Sequence, residues 1–297
     1  MAETEEFAYA KLNLSLDVLG KLPGDYHAMR MVMQTVSLRD RVLLETGGPD
    51  GTVTLRSNFG FLPTDGRNIA VKAAKAFYEA AGISNPPGLR IRLDKRIPVG
   101  AGMAGGSANA AAVLRGLNRL VGTGFSLREM EKLGETLGSD VPFCVAGGAR
   151  LAEGRGEILS PLPCLPDCRI VICKPAFSIR TPDLFARIDA RHSGIHPDTD
   201  GMIAALAAGD LEGTARRIYN VFEDVLPSRC SEVGVIKERL LSAGALGAAM
   251  TGTGSAVFGI FRDAAAAEQV REELGKRYRD CFLAAPVSGL KDPAGVE

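Results

Sequence analysis

The sequence predicts an α+β fold, with antiparallel sheets covered by helices, and three observations carry that reading. The run Leu89-Arg-Ile-Arg-Leu-Asp-Lys-Arg-Ile97 sets apolar Leu89, Ile91 and Leu93 against charged neighbours. That is the alternation of a strand wetted on one face; the strands of a doubly wound parallel sheet read as continuous apolar runs instead. Strands and helices alternate on both sides of a proline-rich crossing, Ser160-Pro-Leu-Pro-Cys-Leu-Pro166, which suggests a joint between residues 1–160 and 161–297. At 297 residues the chain is long enough for two domains.

The first strand, near residues 6–19, has the clearest period. Ala8, Ala10, Leu12, Leu14, Leu16 and Val18 fall on one face, which must look into a core. Lys11, Asn13, Ser15 and Asp17 share the other, and periodicity alone reads that face as solvated. Further strands are expected near 31–45, 51–56 and 89–97. Helices are expected near 68–81, behind Asn68 as a natural N-cap, near 106–120, which is rich in alanine and leucine, and near 127–138. After the crossing, Arg169-Ile-Val-Ile-Cys-Lys174 reads as a strand. Helices near 182–189, 199–208, 211–219 and 231–242 follow, then a strand near 255–262, a helix near 263–276 and a strand near 281–287. The segments Gly244-Ala-Leu-Gly247 and Thr251-Gly-Thr-Gly254 read as turns framing the late strand.

Bulk properties narrow the function classes. Lys plus Arg and Asp plus Glu each number 35, giving zero formal net charge without a basic tract. This argues against nucleic acid or an anionic membrane as partner. No apolar run approaches bilayer length, and the opening Met1-Ala-Glu-Thr-Glu-Glu6 is acidic, unlike a signal peptide. Cys164, Cys168 and Cys173 cluster, but their spacing does not suit a zinc site and no histidine lies near. Buried free thiols in a reducing cytoplasm are the expectation.

The most informative segment is Pro98-Val-Gly-Ala-Gly-Met-Ala-Gly-Gly-Ser-Ala108. Gly100, Gly102, Gly105 and Gly106 let a loop turn tightly and bring backbone N–H groups to a ligand at the start of a helix, which suits phosphate. No G-x-x-x-x-G-K-[ST] is present. Residues 100–105 do match G-x-G-x-x-G. However, the preceding strand is half-solvated, and no acidic residue ends a second strand about twenty positions on. A dinucleotide dehydrogenase is therefore a distant reading.

The same segment resembles the phosphate-binding motif of the GHMP kinases, and the likeness extends in order along the chain. Ala10-Lys-Leu-Asn13, Asp25-Tyr-His27, Leu137-Gly-Ser-Asp-Val-Pro142, Glu153-Gly-Arg-Gly-Glu-Ile-Leu159 and Met250-Thr-Gly-Thr-Gly-Ser-Ala-Val-Phe258 all carry it. It is sharpest to the member that uses ATP to phosphorylate the 2-hydroxyl of a cytidine-diphosphate sugar alcohol in non-mevalonate isoprenoid precursor synthesis. Two departures stand out: Ala104 where glycine is commoner, and Ala108 where that member often has a serine.

The resemblance implies a ribosomal-S5-like first domain, a ferredoxin-like second and an active site between them. Lys11 and Asn13 would line the acceptor site, and Asp140 would be the base. Lys11 and Asp140 are expected to meet across the cleft. ATP would be cradled by Pro98, Val99, Gly100, Ala101, Gly102, Met103, Ala104, Gly105, Gly106, Ser107, Ala108 and Asn109. Asn68 is a further ATP contact that its N-cap role explains equally well. Tyr26 and His27 would hold the cytidine, with Phe185 on the other face of the base and Thr181 nearby. Thr251 and Gly252 would support the glycine loop and border the substrate. Mg²⁺ is expected with ATP, held by phosphates and water rather than by a dedicated protein site. No role is assigned to His192 or His196. A monomer or weak homodimer in the cytoplasm is expected. Other readings are a homoserine- or mevalonate-type GHMP kinase and a non-catalytic nucleotide-binding protein of the same fold.

Overall fold

The structure, a computed structural model, describes residues 2–24, 26–190 and 194–290; Asp25 and His192 lie outside the described residues. Two long antiparallel strands form its spine, β1 (Glu3–Lys21) and β2 (His27–Thr46). One end of β2 pairs with β4 (Leu89–Asp94), which carries the parallel edge strand β3 (Val53–Ser57). The other end pairs with β5 (Ala149–Gly154), whose hairpin partner is β6 (Ile158–Leu162). Helices α1 (Ile69–Ala80), α2 (Gly105–Val121), α3 (Leu127–Glu135) and α4 (Val141–Ala146) belong to this half, with α2 packed on β1 and β2. The core side of β1 is as the alternation requires: Ala8, Ala10, Leu12 and Leu14 are all fully buried.

The second sheet has the order β11-β7-β10-β9, antiparallel throughout, from β7 (Arg169–Lys174), β9 (Gly247–Met250), β10 (Val257–Phe261) and β11 (Asp280–Ala284). In this half's own strand sequence that is 4-1-3-2. With α8 (Glu232–Ser242) before its second strand and α9 (Ala264–Gly275) between its third and fourth, this is the ferredoxin-like split βαβ. The helices α5 (Thr181–Asp189), α6 (Thr199–Ala207) and α7 (Leu211–Ala215) precede them.

Several expectations need correction. The polar face of β1 is not solvated: Lys11, Asn13, Ser15 and Asp17 are all at most 5 % exposed. The second half of the chain covers it. The Asn13 N–H donates to Thr251 Oγ1 at 3.0 Å, Ser15 Oγ lies 3.4 Å from Thr199 Oγ1, and Asp17 pairs with His196 Nδ1 at 3.0 Å. The strand β8 (Tyr219–Asn220) lies beside it in parallel, where the sequence had suggested that helix α7 would run on to 219. Strand β6 continues to Leu162, past the proposed joint at 160. Strands β5, β6 and β9 and the short α4 lie outside the elements that the sequence pattern predicts. Of these, β9 reads Gly-Ala-Ala-Met, which carries none of the β-branched or aromatic signal of a strand.

Candidate active site

A cavity of about 1420 Å³ opens between the two halves. Its floor is the glycine loop, entering α2. Ala104, at the N-cap of α2, has φ 56° and offers no side-chain acceptor, so the first-turn N–H groups are left for a ligand at the positive end of a 17-residue helix. Ala104 is the only described non-glycine residue at positive φ, at the position where the resemblance expects glycine.

Both halves fix the loop. The Lys11 N–H donates to Met103 O and the Ala256 N–H to Ala101 O. At Gly102, φ is 75° and a Cβ would lie 2.0 Å from Thr251 O. Only a glycine permits that backbone contact. Behind the loop, Asp40 Oδ1 accepts the N–H groups of Arg96 and Ile97 at 2.7 and 2.8 Å. Asp40 Oδ2 receives Lys95 Nζ and Asn109 Nδ2, and Lys95 Nζ also donates to Asn109 Oδ1 at 2.8 Å. This buried cluster ties the end of β4 to the first turn of α2.

The predicted residues therefore divide. Pro98, Val99, Gly100, Ala101, Gly102, Met103, Ala104, Gly105, Gly106 and Ser107 line the cavity, as do Lys11, Asp140, Tyr26, His27, Thr181, Phe185 and Gly252. Asn68 and Asn109 reach the wall, but their amides are engaged within the protein. Asn68 caps α1 through Ala70 N and donates to Pro63 O, and Asn109 belongs to the Asp40 cluster. Three residues do not line the cavity. Ala108 is 1 % exposed within α2, and Asn13 and Thr251 are fully buried. Asn13 Oδ1 accepts Lys11 Nζ at 2.5 Å, while the Thr251 hydroxyl bridges Asn13 N and Gly102 O. They position the site instead of facing it. The ammonium of Lys11 is thus hydrogen-bonded to Asn13, and no ion pair with Asp140 closes across the cleft. Asp140 stands at the N-cap of α4 and makes no side-chain capping hydrogen bond.

At the far end, His27 stacks on Phe185 with centroids 4.4 Å apart, and Phe185 meets Phe222 edge-on at 5.1 Å. A base cannot lie between His27 and Phe185. The neighbouring Tyr26 ring is 52 % exposed. His27 Nε2 holds Asp189 Oδ1 at 2.8 Å. That hydrogen bond, with a second from Lys21, keeps the Asp189 carboxyl below its ordinary 3.8. Thr181 Oγ1 contacts Thr253 Oγ1 at 2.9 Å across the mouth.

Sequence reasoning missed Asp189, Thr253 and Arg155 on this wall. Asp189 follows Phe185 at helical i,i+4 spacing, and that signal could have found it. Among the described residues no group of three His, Cys, Asp or Glu could hold a metal. All six cysteines are free, and burial pushes the Cys168 thiol up to about 12, which leaves it an inert core residue.

Two family models match the chain, the GHMP kinases N terminal domain over residues 68–148 and the GHMP kinases C terminal over residues 202–280. The chain belongs to the GHMP kinase family. A 4-diphosphocytidyl-2-C-methyl-D-erythritol kinase of Lachnoclostridium phytofermentans is 46% identical over 93% of this GHMP kinase and 94% of the relative. A crystal structure of 4-(cytidine 5'-diphospho)-2C-methyl-D-erythritol kinase superposes with a TM-score of 0.81 at 32% identity, covering 96% of this chain and all of that one. A homoserine kinase from Cytophaga hutchinsonii shares the fold at TM-score 0.73 and 21% identity, over 97% of this chain and 96% of that one. No described helix of this GHMP kinase is long and apolar enough to cross a membrane.

Proposed function

We propose that this GHMP kinase transfers the γ-phosphoryl group of ATP to the 2-hydroxyl of 4-diphosphocytidyl-2-C-methyl-D-erythritol. One observation carries the reading: a single cavity joins the phosphate-binding loop, the Lys11 and Asp140 side chains and an aromatic wall suited to a pyrimidine. The relatives that act on this cytidine diphosphate compound support the same assignment.

The chemistry follows from placement. The N–H groups at the start of α2 hold the donor phosphates, and Lys11, held by Asn13, puts positive charge where the transferring group gathers negative charge. Asp140 takes the acceptor proton. A positioned base contributes roughly 10²–10⁴-fold, whereas holding donor and acceptor in line contributes roughly 7–11 kcal/mol. Positioning is the larger share, which accounts for how much of the structure is devoted to fixing the loop. Mg²⁺ would accompany ATP, held chiefly by phosphate and water oxygens, and would neutralise charge on the phosphates.

The test is coupled ADP release by the purified protein with ATP–Mg²⁺ and a panel of alcohols. Turnover of the cytidine diphosphate substrate is expected; turnover of homoserine or mevalonate in its place would overturn the assignment.

A further inference from the structure

The motif Glu153-Gly-Arg-Gly-Glu157 forms the tip of the β5–β6 hairpin, and none of the chemistry above uses it. Its geometry is specific. The pairing of β2 with β5 sets Gly154 opposite Met29, so the tip lies beside the start of β2, next to Tyr26 and His27. Gly156 has φ 110°, and a Cβ there would press on Met31 Cε at 3.1 Å. The turn is closed by Gly156 N–H to Glu153 O at 3.0 Å and by Arg155 N–H to Glu157 Oε2 at 2.6 Å. Arg155 is thereby aimed into the cavity, with its guanidinium carbon 4.9 Å from the centroid of the Tyr26 ring.

Its charge has no tight partner. The carboxylates of Glu135 and Glu157 both stand at 3.5 Å, the outer edge of hydrogen bonding. Arg262, by contrast, is gripped by Glu212 at 2.6 and 2.9 Å. Among the described residues lining the cavity, four are lysine or arginine: Lys11, Arg67, Lys95 and Arg155. Lys11 belongs to the reacting centre. Lys95 is locked to Asp40 and Asn109, and Arg67 is clamped by Asp65 beside α1. Arg155 is the remaining cation, and it stands at the aromatic wall.

We infer that Arg155 is a substrate-binding residue that holds the diphosphate of the acceptor, between the base stacked at Tyr26 and Phe185 and the hydroxyl at Asp140. The inference rests on the substrate proposed above. A planar guanidinium with five donors matches phosphate oxygens in pairs, and contacts as long as those to Glu135 and Glu157 cost little to exchange for them. The cation over Tyr26 also stiffens the ring that receives the base.

Calorimetric titration of cytidine and of cytidine 5′-diphosphate into the wild-type protein, Arg155→Ala and Arg155→Lys tests it. The wild type should prefer the diphosphate. Arg155→Ala should lose about tenfold or more of that preference while binding cytidine within about twofold of wild type, and Arg155→Lys should keep part of it. An unchanged preference in Arg155→Ala overturns the inference. So does an equal loss for both ligands, which would mean that Arg155 acts only through the Tyr26 ring. A wild-type protein that binds neither ligand would instead overturn the substrate assignment beneath it.

Discussion

The imidazole of His27 lies nearly flat against the ring of Phe185, 21° from parallel and 4.4 Å between centroids. Each stacked layer needs about 3.5 Å, so no further ring fits between the two. Replacing Phe185 by alanine removes both this stack and the edge contact on Phe222. The KM for the cytidine diphosphate substrate should rise about tenfold or more while kcat stays within about threefold, read by steady-state kinetics.

The hydrogen bond from His27 to Asp189 gives a signed pH dependence. Asp189 is held below its ordinary 3.8, first by the hydrogen bond with His27 and then by Lys21. A depressed carboxyl contributes stability that is complete above its unfolded pKa and is lost as the pH falls through the folded value. Denaturant unfolding of the wild type and Asp189→Asn should therefore differ at about pH 5 and converge as the pH falls below about 4. Curves that stay equally far apart at the lowest pH would contradict the pairing.

Asp140→Asn preserves shape and removes the carboxylate proposed as the base. The expected result is a fall in kcat of roughly 10²–10⁴-fold with little change in ATP or cytidine diphosphate affinity. Near-normal turnover at saturating substrate would remove Asp140 from that role.

The Gly102–Thr251 approach separates two costs that are usually mixed. Gly122, with φ 72° and no atom within 4 Å of a would-be Cβ, is the control for backbone strain alone. Gly122→Ala should cost about 1–2 kcal/mol in denaturant unfolding. Gly102→Ala adds a 2.0 Å clash with a carbonyl oxygen and should cost clearly more, with loss of ATP binding because the loop must move. Equal costs at the two sites would mean that the loop yields easily.

The buried Asp40–Lys95–Asn109 cluster makes a sharper claim. Asp40→Asn leaves a buried ammonium without its counter-charge, at a cost of about 3–5 kcal/mol, whereas Asp40→Asn combined with Lys95→Met should recover part of it. Thermal or denaturant unfolding of the two single variants and the double reads the coupling directly.

Much of this was legible in the residues. The period of β1, the helices 69–80 and 105–121 and the glycine loop follow from short-range pattern, which a chain displays openly. The burial of Asn13, Ser15 and Asp17 was not legible, because their partners Thr251, Thr199 and His196 lie far along the chain and alternation says nothing about what covers a face. The resemblance gives Thr251 and Asn13 contact with substrate, whereas both are buried behind the cavity wall. From sequence, a residue that touches a ligand looks the same as one that holds its neighbour in place. The hairpin from Ala149 to Leu162 was obscured by prolines at 161 and 163, which read as a crossing although Pro161 sits within the edge strand β6, where it is tolerated.

The cover over β1 also sets the order of assembly. The side chains of Asn13, Ser15 and Asp17 have near partners in Lys11 Nζ, the Val32 N–H and the Val18 N–H, but their cover comes only once residues 196–251 have been made, with 238 positions separating Asn13 from Thr251. Loop closure over that length must precede the reward, so the strand that begins the protein is among the last to be completed. A nascent chain stopped at the proline-rich crossing would hold Lys11 in an open, wet groove, and catalytic competence would arrive with the final quarter of translation.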